Sequence, residues 1–269
     1  MSAKSILRSA IYQTEKLAQR ARFASISAPQ AGWPALLSIS FPKSGTHLLD
    51  QILLGFAKVA PFSRRLHSFF AGYEGESGRK HSLEETLAWV DSLCALDITS
   101  AHLFAWDEVV SRVCTPAFIP YFIFRDPRDV VVSHVFYVTE MEAHHVHHEY
   151  YQSLPDFNAR LTVSILGRPT FRAERSRSAA QPSFDYAQDE GIIVEFSNIT
   201  DRFVPYMNWL DQPEVVAIHF EDLIEDRAAT LNRIIDHFLR RVPLHAPRQL
   251  ILESLESSIN PKKSPTFRS

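Results

Sequence analysis

Leu36-Leu-Ser-Ile-Ser-Phe-Pro-Lys-Ser-Gly-Thr-His-Leu-Leu-Asp50 is the stretch that decides the fold. The apolar run from Ala35 to Ile39 has the length of a buried strand. From about Thr46 the apolar residues Leu48, Leu49, Ile52, Leu53 and Phe56 recur at helical spacing. A Pro-Lys-Ser-Gly turn joins the two. A strand, a tight loop and a helix in this order aim the free N–H groups of a helix N-terminus at one point. Lys43 adds a full positive charge there and Gly45 permits close backbone approach, so the loop is expected to hold an anion. The order Lys-Ser-Gly-Thr, with no leading glycine, is not that of a Walker A loop.

Outward from this unit, residues 57–79 read as loop, rich in Gly, Ser and basic residues. Ser82-Leu-Glu-Glu85 is a capping box opening a helix that runs to about Cys94. Further strands are expected over residues 97–103, 118–124 and 215–220, each followed by a helix. That alternation predicts an α/β fold: a P-loop-like parallel β-sheet flanked by helices on both faces, in a single domain. A helix is also expected from near Pro155 to Gly167, and another near Thr200. Between them, residues 170–189 are polar and aperiodic, ending in Phe184-Asp-Tyr-Ala-Gln-Asp189, and read as an insertion.

Composition narrows the class. In 269 residues, 45% are hydrophobic and 22% charged, as in ordinary globular chains long enough to bury a substantial core. A net charge of −3 gives no global pull toward nucleic acid or anionic membrane, so any basic site is local. No apolar run reaches transmembrane length. The two cysteines, Cys94 and Cys114, lack metal spacing, fit a reducing, cytoplasmic compartment, and read as core-packing residues. Residues 1–34 form a basic extension in which Lys4, Arg8, Lys16, Arg20 and Arg22 face one acid, Glu15. Its amphipathic helix is read as packed on the domain, with peripheral membrane contact through residues 1–22 or an organelle transit peptide as the alternatives.

In an open parallel sheet, ligands bind beyond the carboxyl ends of the strands. The expected strand ends deliver Lys43, His102, Arg125 and the Glu221–Asp222 pair to one edge. Arg125-Asp-Pro-Arg-Asp-Val-Val-Val-Ser133 is the second strong motif: Pro127 forces a turn, Asp129 is placed to cap the following helix, and Ser133 falls in its first turns. A guanidinium beside a hydroxyl and a helix N-terminus suits a phosphate. Two such sites imply a ligand phosphorylated at two separated positions.

Together these motifs resemble the sulfotransferase family that uses 3′-phosphoadenosine 5′-phosphosulfate (PAPS). Pro42-Lys43-Ser44-Gly45-Thr46 is similar to its 5′-phosphosulfate loop, and Arg125 to Ser133 to its 3′-phosphate motif. Ala101-His102-Leu103 resembles the strand end carrying its general base. Phe220-Glu221-Asp222-Leu223 and the Ser264 to Arg268 segment match later family motifs. The resemblance spans residues 35–268 apart from the insertion. It implies Lys43, His102 and Ser133 as catalytic residues. It implies Pro42, Lys43, Ser44, Gly45, Thr46, His47, Arg125, Ser133 and Arg268 as PAPS-binding residues. No metal is implied, and the acceptor would be a small-molecule, carbohydrate or lipid alcohol, or less favourably an amine; no nucleic-acid partner is expected.

Three departures accompany it. Leu48 stands where the family often has an adenine-stacking Trp, and Ser100 where a Lys commonly precedes the catalytic His. The family's closing Arg-Lys-Gly-x-x-Gly-x-Trp loop has no counterpart after Arg268-Ser269, so one wall of the 3′-phosphate site is expected to be cut short. Two rivals stay open at this level: a PAPS-binding protein without turnover, and a P-loop kinase or NTPase. Among the twelve histidines, His144 and His148 have metal-like spacing but no Glu or Cys partner, and residues 138–152 read instead as acceptor-pocket wall. Glu221 and Asp222 are read as capping or ion-pairing residues.

Overall fold

The computed structural model describes residues 3–24, 32–75, 77–172 and 193–263. In chain order it contains α1 (Ala3–Phe23), β1 (Ala35–Ser40), α2 (Thr46–Gly55), β2 (Leu66–Ala71), α3 (Leu83–Asp91), β3 (Ile98–His102), α4 (Asp107–Val113) and β4 (Phe118–Phe124). There follow α5 (Pro127–Phe136), α6 (His148–Ser153), α7 (Phe157–Leu166), β5 (Arg168–Arg172), β6 (Ile193–Phe196) and α8 (Ile199–Met207). Last come β7 (Val216–His219), α9 (Phe220–Glu225), α10 (Arg227–Arg241) and α11 (Arg248–Glu256). These elements group into two compact units, one of residues 1–70, 83–125 and 206–269, the other of residues 71–82 and 126–205.

The first unit is built on a five-stranded sheet in the order β2-β3-β1-β4-β7. β1 lies parallel between β3 and β4, with Ser38 opposite Ser100 on one side and Tyr121 on the other, and β4 pairs parallel with β7. Every residue of β1 is buried, so both faces of the sheet are covered, as a parallel sheet requires. Leu36, Ile98, Ile119, Tyr121, Ile123 and Ile218 turn to one face. There they meet Leu49 and Ile52 of α2, Ile234 and Phe238 of α10, and Ile251 and Leu255 of α11. Leu37, Ile39 and Phe122 point the other way and are fully buried; α4 packs against β4, and Trp209 Nε1–H donates to Leu103 O at 2.8 Å. Each such side chain contributes roughly 1.5–3 kcal/mol of apolar burial.

Several local expectations are corrected. β2 falls inside the segment expected to be loop. It is an edge strand, half-exposed along its length, so it lacks the continuous apolar run that marked the inner strands. α3 stops at Asp91, short of Cys94, and Cys94 is exposed rather than packed in the core, while Cys114 is intermediate. In the second unit α5 is capped by Asp126, whose side chain accepts from Arg128 N–H at 2.9 Å, not by Asp129. The reason is Pro127, whose fixed φ suits the first helical position and starts the helix one turn earlier.

α1 packs into the first unit through a polar face. Lys16, Gln19 and Phe23 are buried, whereas Leu17 is 64% exposed. Lys16 Nζ pairs with the fully buried carboxylate of Asp97, which also accepts from Tyr12 OH at 2.7 Å and from Cys94 N–H at 2.8 Å. Among the described residues no helix is long and apolar enough to cross a membrane.

The second unit sets α5, α6 and α7 around Val135, Val138, Tyr151 and Phe196. β5 and β6 pair antiparallel, so residues 170–172 of the stretch read as an insertion are strand; residues 173–189 of it lie outside the described residues. α7 is capped by Asp156, which accepts from Ala159 N–H at 2.8 Å, and ends at Gly167.

The buried pair yields a test. Lys16→Met leaves the Asp97 charge without its cation and is expected to destabilise the protein by about 3–5 kcal/mol. Leu17→Ala, one residue away on the exposed side, is expected to change stability by no more than about 0.5 kcal/mol. Urea denaturation of both variants checks the contrast.

Candidate active site

β1 delivers the chain to the turn at the sheet's carboxyl edge. Lys43 has φ 69° and Gly45 φ 97°, both left-handed. Two such residues flanking Ser44 curl the loop sharply, a geometry that non-glycine residues adopt only at some cost in strain. Ser44 N–H bonds back to Phe41 O at 3.2 Å, and Phe41 N–H to Ile123 O at 3.1 Å, fixing the loop to β1 and β4. Gly45 is the N-cap of α2, and no side chain caps it. The N–H groups of Thr46 and His47 precede any intrahelical acceptor and are positioned for an anion. A Cβ on Gly45 would come within 2.5 Å of Phe220 Cδ2 and 3.2 Å of Ile123 Cδ1, so the close approach requires glycine.

Lys43 is half-buried, and burial pulls its ammonium pKa down to about 8. The same burial, with the Lys43 charge, lowers His47. Ser44 is buried and Pro42 half-buried.

β3 brings His102 to this loop. Its Nδ1 lies 2.9 Å from both the carbonyl oxygen and the hydroxyl of Ser40. A carbonyl only accepts, so this contact favours the ring proton on Nδ1, the form in which Nε2 keeps its lone pair. Phe69 of β2 meets the ring edge-on at 5.0 Å. Burial first, then the nearby charges of Lys43 and His47, hold the His102 pKa down to about 4 against the opposing Ser40 hydrogen bond. At neutral pH the imidazole is therefore uncharged and able to accept a proton.

Arg125 follows β4. Its guanidinium lies 4.6 Å over the Phe220 ring, and its Nε stands 3.7 Å from Glu221 Oε1. Glu221 also meets His219 Nε2 at 3.2 Å, and Asp222 meets Arg233 at 3.7 Å, so this acidic pair holds basic partners. The first unit thus assembles residues 42–47, His102 and Arg125 at one sheet edge. Ser133 lies half-buried on α5 in the second unit, and Arg268 lies outside the described residues. Residues 144–148 do not form a helix face. His145 and His147 turn into the second unit's aromatic core, and His148 Nδ1–H donates to Val138 O at 2.7 Å. Among the described residues no group of three or more His, Cys, Asp or Glu is placed to hold a metal ion.

Ser40, Phe69 and Phe220 were not singled out from the sequence as site residues. Ser40 had one signal, a hydroxyl ending an apolar strand; Phe69 had none, because its strand was read as loop.

The model of the sulfotransferase domain family matches residues 34–256. No curated protein sequence matches the chain. Among solved structures, mouse sulfotransferase SULT7A1 complexed with PAP is similar at 15% identity and a TM-score of 0.48, over 87% of this chain and 67% of that one. Retinol dehydratase in complex with androsterone and inactive cofactor PAP is similar at 13% identity and 0.47, over 93% and 70%.

Two outcomes are expected of this geometry. In the ligand-free protein the His102 imidazole should titrate near pH 4 by NMR. Because its folded pKa lies below the ordinary 6.5, its contribution to stability is present above that value and is lost as pH falls toward 4. Gly45→Ala should destabilise the fold by about 1–3 kcal/mol through left-handed strain alone, before any displacement of Phe220, as thermal melts would measure.

Proposed function

Because the chain belongs to the sulfotransferase domain family, we propose that it transfers a sulfuryl group from PAPS to an acceptor hydroxyl. The observation that carries this reading is a neutral His102, its Nδ1–H engaged by Ser40, standing at the strand end beside the Lys43 loop. Bound PAPS would supply an activated sulfuryl group on a phosphate leaving group.

The chain's residues fit that substrate. The uncapped N-terminus of α2 leaves its first backbone N–H groups for an anion, and Gly45 lets Phe220 pack against the turn that aims them. Lys43 meets the charge that builds on the leaving oxygen, where stabilisation in a partly buried site is worth most. His102 Nε2 takes the acceptor proton as the new O–S bond forms and the old one breaks. Arg125, stacked on Phe220, offers its guanidinium fork to the 3′-phosphate, in exchange for the long contact with Glu221. A small-molecule, carbohydrate or lipid alcohol is the acceptor class. Two free thiols, with Cys94 exposed, favour a reducing compartment such as the cytoplasm.

Calorimetry is expected to show tighter binding of 3′-phosphoadenosine 5′-phosphate than of ATP; equal or tighter ATP binding would sink the reading. His102→Ala should keep bisphosphate affinity and lose about 10²–10⁴ in kcat, with Lys43→Ala at least as damaging to the rate.

A further inference from the structure

The base and the anion loop are joined by more than proximity. Ser40 is fully buried, and its hydroxyl oxygen lies 2.9 Å from His102 Nδ1 and 2.8 Å from Thr46 Oγ1. Thr46 is the first residue of α2, at the mouth of the loop. The direction of this chain follows from its one fixed member. His102 Nδ1 also faces the Ser40 carbonyl at 2.9 Å, which has no proton to give, so this contact favours a hydrogen on Nδ1 shared between the two Ser40 oxygens. The Ser40 hydroxyl then accepts from His102 and turns its own proton to Thr46 Oγ1. That leaves the Thr46 hydroxyl proton to donate outward, to an anion at the loop.

The opposite direction has a different outcome. If Thr46 donated to Ser40 and Ser40 to His102, the ring proton would sit on Nε2. The bond to the Ser40 carbonyl would be lost, and His102 would present a donor where the reaction needs an acceptor. An anion that takes the Thr46 proton selects the first arrangement, because only a Thr46 hydroxyl freed from donating to Ser40 can serve it. We propose that Ser40 is a positioning residue that couples occupancy of the anion loop to the tautomer of His102, keeping the base ready when the donor substrate is bound. This rests on the reading of His102 as the base, but the coupling itself is observable without turnover.

The test uses the full chain with ¹⁵N-labelled histidine, the His102 signals being assigned by their loss in His102→Ala. Adding 3′-phosphoadenosine 5′-phosphate to the parent should drive His102 fully to the Nδ1–H form. In Ser40→Ala the ligand should still bind, within about threefold of the parent, but the ring should show the same Nδ1–H form before and after binding, because the carbonyl alone holds that tautomer and does not sense the loop. Its kcat should fall about 10–100-fold with KM for PAPS nearly unchanged, because the ring loses one of the two oxygens that orient it, a fraction of the loss on deleting the base. Ser40→Thr, which keeps the hydroxyl, should restore both readouts. Should Ser40→Ala not fold, Thr46→Val breaks the same chain at its far end and should abolish the tautomer response. A tautomer response in Ser40→Ala equal to the parent's overturns the proposal. Loss of the response, with His102→Ala still turning over normally, would uphold the coupling and overturn instead the assignment of His102 as base.

Discussion

Phe220 presses its ring into the space that a side chain on Gly45 would occupy, with a built Cβ only 2.5 Å from Cδ2. The entry of α2, and with it the aim of its first N–H groups, is thereby set by the junction of β7 and α9, far away in sequence. The same ring carries the Arg125 guanidinium at 4.6 Å. One aromatic side chain therefore fixes how deep the loop sits and where the second cation stands. Moving it would disturb both without touching either charged group, because a packed contact transmits a shift of a few tenths of an ångström to everything resting on it.

The sequence exposed those parts of the fold whose physics is local or repetitive. β1 and β4 were legible because strands covered on both faces favour apolar residues, and Ala35 to Ile39 and Phe118 to Phe124 are largely apolar. β2 was not, since a half-exposed edge strand tolerates His67 and Ser68 among its apolar residues. The docking of α1 was expected in outline but not in detail. The contact is made by Lys16 reaching Asp97, a partner that no local pattern identifies. At the site, Lys43, Gly45 and His102 were legible as strand-end residues. Ser40 was not, because its role exists only where β1 and β3 lie side by side.

The interior of the first unit tolerates polarity where it is answered. Asp97 is surrounded by donors from α1 and from the turn before β3. Asp50 of α2 is 5% exposed with Ser100 Oγ donating at 3.1 Å, and burial raises its pKa to about 6. Asp97 is answered by an ammonium and two further donors, while Asp50 is held toward its neutral form by burial. Asp50 lies on α2, the helix that the loop enters, whereas Asp97 lies immediately before β3, at the opposite end of that strand from His102.

Burial of Lys43 carries a thermodynamic corollary. With a pKa of about 8, part of the population is uncharged in mildly alkaline solution. A polyanion settling against the ammonium favours the charged form, so occupancy of the loop draws a proton from solvent. Linkage then requires affinity for the polyanion to weaken as pH rises through that value. It also makes the apparent heat of association depend on the ionisation enthalpy of whichever buffer gives up the proton. A polyanion bound at the loop would thereby charge the lysine more fully than solvent alone does.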